Sequence, residues 1–215
     1  MALLVKSFYQ QKDTVQIARD LLGKVLFSNL DNQRVSGIIV ETEAYCGKED
    51  KACHAYQGRR TPRTEIMYQE GGVSYLYLCY GIHTLLNIVT SQEGDPHAVL
   101  IRALIPYHGH DIMVERRKGK KPLCQGPGTV CQALGLSLAH NGLSFEGPSL
   151  WIEDHGLIPT SILVTPRIGI DYAGEDAKLP YRFVATFSSL PLLSALEEKK
   201  SSTHSSLDQN GKNLL

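Results

Sequence analysis

The chain lacks an excess of charge of either sign. Its 22 basic and 22 acidic residues in 215 leave a formal net charge of zero, so composition alone marks no polyanion-binding protein. It also lacks a CxxC pair. Its five cysteines (Cys46, Cys53, Cys79, Cys124, Cys131) are odd in number, which argues against a disulfide framework and for a reducing, cytosolic compartment. Cys46, Cys53 and His54 are near in sequence but lack the paired spacing of a zinc site, so no metal is expected. No apolar run approaches the ~20 residues needed to cross a bilayer, and MALLVKSFYQQKD carries no cleavage-like segment, so neither a membrane span nor a signal peptide is expected. The sequence contains no GxGxxG, GxxxxGK, HExxH or GxSxG, which removes the usual signatures of dinucleotide, nucleotide-triphosphate, zinc-protease and serine-hydrolase chemistry.

What is present suffices for a core without staples: 42% of residues are hydrophobic. TVQIARDLLGK reads as a short helix with Thr14 as N-cap and Gly23 as its stop. KVLFSNL and QRVSGIIVETEAY flank Asp31-Asn32 as a hairpin. A helical turn is expected around Glu49 to Tyr56. VSYLYLCYGIHTLLNIVTS predicts two strands with a turn at Tyr80-Gly81, and HAVLIRALIP predicts another buried strand. HGHDIMVERRK predicts a helix, and QGPGTVCQALGL a glycine/proline loop entering a helix capped by Thr129. SLWIED, TSILVTPRIGI and RFVA are strand-like. Strands dominate without a βαβ rhythm, so the expected fold is one mixed α+β domain over 1–194, with a polar tail over 195–215.

The run GIIVETEAYCG places Glu41, Glu43 and Tyr45 on one face of a strand whose apolar residues point to the interior. Two readings stand. The carboxylates leave the core to meet solvent or an arginine, or one of them is a general base held at a pocket mouth. Same-face carboxylates point one way, so a single base fits better than an acid/base pair straddling a bond. In VSYLYLCYGIHTLLNI, Tyr75 and Tyr77 share a face, while Tyr80 falls at the turn with little core to join. Tyr45, His54 and Tyr77 offer surfaces able to sandwich a planar ring. Asn87 and Arg102 lie on apolar strands, where a polar group is either paired or functional. Two basic clusters, Arg59-Arg60-Arg63 and the ERRKGKK run with five basic residues against one acidic, read either as solvated surface or as a phosphate footprint.

VETEAYCGKEDKACHA, GRRTPRTEIMYQEGG, YLYLCYGIHTLLNI, VLIRAL, GPGTVCQALG and RIGIDYAGEDAKLPYRF, in that order from about Leu21 to Phe183, resemble successive motifs of the alkyladenine DNA glycosylase family. The resemblance implies a general base at Glu43 and, at Arg102, an arginine that helps orient the attacking water. It implies base-pocket residues at Tyr45, His54, Tyr77, Asn87 and Ile170, the last contacting that water through its backbone. It places the intercalating wedge at Tyr80 and leaves Glu41 structural. Phosphate contacts are expected from Arg59, Arg63, Arg116 and Lys118. It further implies an antiparallel, curved sheet core with peripheral helices and a protruding DNA-inserting hairpin, no metal or cofactor, and monofunctional hydrolysis at alkylated or deaminated purines in double-stranded DNA.

A monomeric, bacterial-type cytoplasmic protein acting at the nucleoid is expected, since the long polar N-terminal extension of mammalian members is missing. VTSQEGDPHAV is one residue longer than the mammalian-type loop, and Ile82 stands where a methionine is usual. Two other classes remain compatible with these residues: an inactive DNA-distortion sensor, and an enzyme acting on free purine nucleosides.

Overall fold

The computed structural model describes residues 1–188. A short edge strand, β1 (Ala2–Leu3), leads into helices α1 (Lys6–Tyr9) and α2 (Thr14–Asp20). Strands β2 (Val25–Leu30) and β3 (Gln33–Tyr45) form a hairpin; after a looped segment come β4 (Ser74–Cys79), β5 (His83–Thr90) and β6 (His97–His108). Helices α3 (His110–Arg116) and α4 (Pro127–Leu134) precede β7 (Leu150–Asp154), β8 (Ser161–Thr165) and β9 (Arg182–Thr186). These strands join one sheet in the order β1-β7-β2-β3-β6-β5-β4, with β9 paired to the end of β3 and β8 to β9. Every pairing is antiparallel, so the fold is the expected mixed α+β type. The expected boundary at 194 and the tail over 195–215 lie outside the described residues.

Local chemistry accounts for most element ends. Asp31 and Asn32 both take positive φ (53° and 59°), the left-handed pair that a two-residue hairpin requires. The cap of α2 is Asp13 rather than Thr14: its carboxylate accepts from the Gln16 N–H at 2.9 Å, and Thr14 is the first helical residue. Thr129 does not cap α4 either. Gly126 and Pro127 start that helix, and the Thr129 hydroxyl donates back to the Gly126 carbonyl at 2.7 Å. The turn expected across Glu49 to Tyr56 is replaced by separate 3-10 turns at Gly47–Glu49 and Tyr56–Gly58.

Alternation along the strands divides core from site. Ile88, Ile101 and Leu86 face α2, α3 and α4, where Ile17, Leu21, Met113, Val130 and Leu134 complete the main core. The residues between them, Asn87, Leu100 and Arg102, line a cavity on the opposite face, with Tyr75 and Tyr77 of β4. Three register shifts interrupt the β3–β6 ladder: one between Ser36 and Gly37, where Tyr107 is extra on β6, and two bulges close to the site. Pairing passes from Ile39–Leu104 to Glu41–Ala103, leaving Val40 extra on β3. It then passes to Thr42–Ile101, leaving Arg102 extra on β6. A bulge bends its strand and re-aims a side chain, and here the re-aimed side chain is Arg102.

Candidate active site

Glu43 is fully buried, and three donors converge on its carboxylate. The Ile168 backbone N–H donates to Oε1 at 2.9 Å; the Tyr45 hydroxyl and an Arg102 guanidinium nitrogen donate to Oε2 at 2.8 and 3.3 Å. Burial first, and then the neighbouring Glu43 charge, push the Tyr45 phenol well above its ordinary range, so Tyr45 stays a donor. Burial works against the Arg102 charge, but Glu43 and Glu41 outweigh it and raise its pKa. Glu41 shares the strand face with Glu43, yet its Oε1 accepts from both Arg102 Nε (2.9 Å) and Arg182 Nε (2.7 Å). That position ties β3 to β6 and β9.

Beside this cluster opens a cavity of about 400 Å³, lined by the three residues that donate to Glu43 (Tyr45, Arg102 and Ile168) but not by Glu43 itself, and within the ~300–1,000 Å³ usual for small-molecule sites. Tyr45, His54, Tyr77, Asn87, Arg102 and Ile170 all line it. The Asn87 amide is anchored by donating to the Tyr75 carbonyl at 3.1 Å. His54 packs edge-on to Tyr77, centroids 4.7 Å apart and planes at 84°. Arg63 donates to His54 Nε2 at 3.2 Å, so the ring proton sits on Nδ1 and donates to the Tyr75 hydroxyl at 2.7 Å. Burial, then the charges of Arg63 and Arg59, lower the His54 pKa to about 4.

The imidazole is therefore neutral at physiological pH. As pH falls from about 6.5 toward 4 the unfolded chain takes up the proton first, so this residue's effect on stability is harmless above 6.5 and increasingly destabilising below it. We expect imidazole ¹⁵N resonances of His54 to report one neutral tautomer from pH 8 to pH 5; titration near 6.5 would contradict the pairing.

The β4–β5 turn carries Tyr80 at the cavity mouth. Tyr80 (φ 50°) and Gly81 (φ 73°) are both left-handed, and the turn closes through the Ile82 N–H to the Cys79 carbonyl at 3.1 Å. Glycine adopts this region freely; a tyrosine there costs about 1–3 kcal/mol. The strained residue is 88% exposed and its neighbour Ile82 70%, so the strain secures no packing.

The backbone group that meets the carboxylate belongs to Ile168. Ile170, given a backbone role at the site by the resemblance, is buried in the wall against Ala52 and Ala173. Three further residues escaped the sequence reading. Arg167, wedged between the Tyr45 and Tyr181 rings (4.9 and 5.3 Å), pairs with buried Asp50 at 2.5 and 2.8 Å and also donates to the Ala44 carbonyl. Asp50 in turn accepts from the Cys46 and Ala52 N–H groups, both at 2.9 Å. Exposed Tyr172 sits at the mouth. Burial pushes the thiols of Cys46 and Cys53 up to about 12 and 11, so neither is a thiolate.

The four basic positions separate. Arg59 and Lys118 are exposed. Arg116 is folded back: it donates to the Ala133 carbonyl (3.3 Å) and to Gln33 Oε1 (3.1 Å), and its guanidinium lies where a Cβ on left-handed Gly135 would come within 2.8 Å. Both terminal nitrogens already donate to the chain, which argues against the expected phosphate contact. Arg63 turns into the cavity. The longer loop over 91–97 lies off the cavity lining, against Gln10 and Tyr68. Among the described residues no helix is long and apolar enough to cross a membrane.

Comparison with known proteins agrees with this geometry. The Methylpurine-DNA glycosylase family matches residues 7–189. A protein of Chlamydia abortus, provisionally named a 3-methyladenine DNA glycosylase, is 52% identical over 186 residues, covering 85% of this chain and 97% of its own. Proteins with the same provisional name from Bacillus licheniformis (47% over 177 residues; 81% and 89% covered) and Methanocella arvoryzae (46% over 187 residues; 85% and 92%) are also similar. With a buried carboxylate held by residues that line an aromatic cavity, and a match spanning nearly all the described residues, the chain belongs to the methylpurine-DNA glycosylase family.

Proposed function

We propose that this protein is a monofunctional DNA glycosylase of base excision repair. It hydrolyses the N-glycosidic bond of alkylated or deaminated purines in double-stranded DNA: 3-methyladenine and 7-methylguanine, with hypoxanthine and ethenoadenine as further substrates. The observation that carries this reading is one aromatic cavity lined both by strained, exposed Tyr80 and by the Tyr45, Arg102 and Ile168 donors that hold buried Glu43.

A base inside a duplex is out of reach, so its nucleotide is extruded at a cost of a few kcal/mol, less at a damaged pair. Tyr80 fills the vacated stack. The extruded purine enters between Tyr45, His54 and Tyr77; a positive charge from N3 or N7 alkylation draws it to the ring faces. As the C1′–N bond lengthens, the sugar gains oxocarbenium character, which the Glu43 carboxylate stabilises. A water oxygen bonds to C1′, its proton passes to Glu43, and the bonding pair leaves with the base. Arg102, bonded to Glu43, orients that carboxylate and the water. Among the described residues no lysine lines the cavity, which supports hydrolysis without an amine nucleophile. No step calls for a metal or cofactor. Exposed Arg59 and Lys118 meet phosphates in this reading, and the protein acts as a cytoplasmic monomer.

A duplex carrying one 3-methyladenine or hypoxanthine tests this. The expected result is release of free base, an alkali-labile abasic site and no strand break before alkali. Release from free nucleosides but from no duplex would move the protein to the nucleoside-hydrolysing class. Tyr80→Ala is expected to slow release from a stable pair by about tenfold, as loss of an aromatic–base stack worth ~1–3 kcal/mol implies, and to slow release from a mismatch less. Equal slowing would remove the wedge role.

A further inference from the structure

Within the basic GRRTPR segment the three arginines diverge. Arg60 pairs with Glu65, Arg59 points to the adjoining groove, and Arg63 rests on the site. Its guanidinium carbon lies 4.7 Å from the Tyr77 centroid and one nitrogen donates to His54 Nε2 at 3.2 Å. Among the described residues Arg63 has no carboxylate partner. It lines both the aromatic cavity and the adjoining groove of about 650 Å³, to which Lys51 and Arg59 also contribute. An exposed arginine held by one ring face and by neutral acceptors on His54 and Tyr75, with no carboxylate, is held weakly, and it has a second place to go.

We infer that Arg63 is a specificity-determining residue: in the free protein its guanidinium holds the place of a cationic purine on Tyr77, and it yields that place when such a purine arrives. The inference rests on the glycosylase reading. Two positive charges about 4 Å apart repel strongly even near a protein surface, so guanidinium and cationic base cannot share the ring. The displaced side chain turns toward the groove, where a phosphate flanking the flipped nucleotide would receive it.

The exchange treats substrates unequally. A cationic purine replaces the lost cation–π contact with its own, whereas a neutral purine removes the contact and restores nothing. Arg63 thereby disfavours every neutral purine, undamaged ones included, by about threefold to thirtyfold, the range spanned by one cation–π contact. Discrimination of this kind is built against the wrong ligand rather than for the right one.

The test compares wild type, Arg63→Met and Arg63→Lys in single-turnover release from matched duplexes holding 3-methyladenine or hypoxanthine. Arg63→Met is expected to raise the hypoxanthine-to-3-methyladenine rate ratio about tenfold, while Arg63→Lys keeps the wild-type ratio. An unchanged ratio in Arg63→Met overturns the inference, whereas absence of release by wild type from any duplex overturns the glycosylase reading instead. A binding arm needs no bond cleavage. Arg63 Hδ resonances are expected upfield in the free protein, at ordinary positions in Tyr77→Leu, and displaced more by 7-methylguanosine at mildly acidic pH than by inosine. No upfield shift, or equal or no displacement by the two nucleosides, overturns the inference.

Discussion

Glu43→Gln is expected to lower base release by about 10²–10⁴-fold, the usual contribution of a positioned general base, while binding to the damaged duplex persists. The substitution keeps the shape and removes the charge, so it withdraws both the proton acceptor and the anion beneath the developing sugar cation. It also disturbs a local balance. Glu43 accepts from three donors, with Ile168 on one oxygen and Tyr45 and Arg102 on the other. A glutamine amide set either way turns its own N–H toward a backbone N–H or toward a guanidinium. One such clash costs about 1–3 kcal/mol, so release and binding must be compared at a temperature where both proteins are folded. Measured that way, equal release by wild type and variant would end the assignment of Glu43. Parallel loss of release and of duplex binding would point to a collapsed site rather than a missing base.

The second large effect concerns stability. Asp50 and Arg167 have side chains 2% and 0% exposed, and each stands in several hydrogen bonds besides their own. Burial opposes the Arg167 charge, but the Asp50 hydrogen bond and charge outweigh it and hold its pKa above the ordinary value. Asp50→Asn leaves the guanidinium buried without a counter-charge. Breaking such a pair from one side costs about 3–5 kcal/mol, a large share of the ~5–15 kcal/mol that holds a typical domain together. We expect the denaturant midpoint to fall accordingly with an unchanged slope. Asp50→Leu combined with Arg167→Met is expected to lose less than Asp50→Asn alone, because no orphan charge remains. A midpoint within about 0.5 kcal/mol of wild type for Asp50→Asn, the scatter of ordinary surface substitutions, would refute this. Since Arg167 immediately precedes the residue whose N–H holds Glu43, the same variant is expected to lose activity before it loses its fold.

How much of this was legible in the chain depends on how local the cause is. The hairpins at Asp31-Asn32 and Tyr80-Gly81 are written in adjacent residues and read correctly, as was the sharing of one face by Glu41, Glu43 and Tyr45. The caps of α2 and α4 were misread because Thr14 and Thr129 are good capping types placed next to residues that took the role. Ile168 was not singled out: it sits in an Ile-Gly-Ile string with Ile170 in which both isoleucines fit an apolar pattern, and only the fold shows that the Ile168 N–H reaches the carboxylate. Asp50 and Arg167 are far apart in the chain and sit in loops, where periodicity carries no signal. A charge run cannot tell which of its arginines folds back, as Arg116 does, or turns into a cavity, as Arg63 does.

The Val40 and Arg102 bulges between β3 and β6 bear on how such a site is acquired or lost. The extra residue Val40 on one strand is answered within a few positions by the extra residue Arg102 on the other, so the ladder leaves the disturbed stretch in the register with which it entered. They are a pair of opposite dislocations that cancel. Distant strands feel nothing of them, and the helices that cover the far face see an unbroken apolar pattern. Losing either residue alone would shift one strand's whole side-chain alternation. Losing both would leave the stretch from Ile38 to Tyr45 regularly paired but with no arginine on Glu43, a scaffold that folds and has forgotten its chemistry.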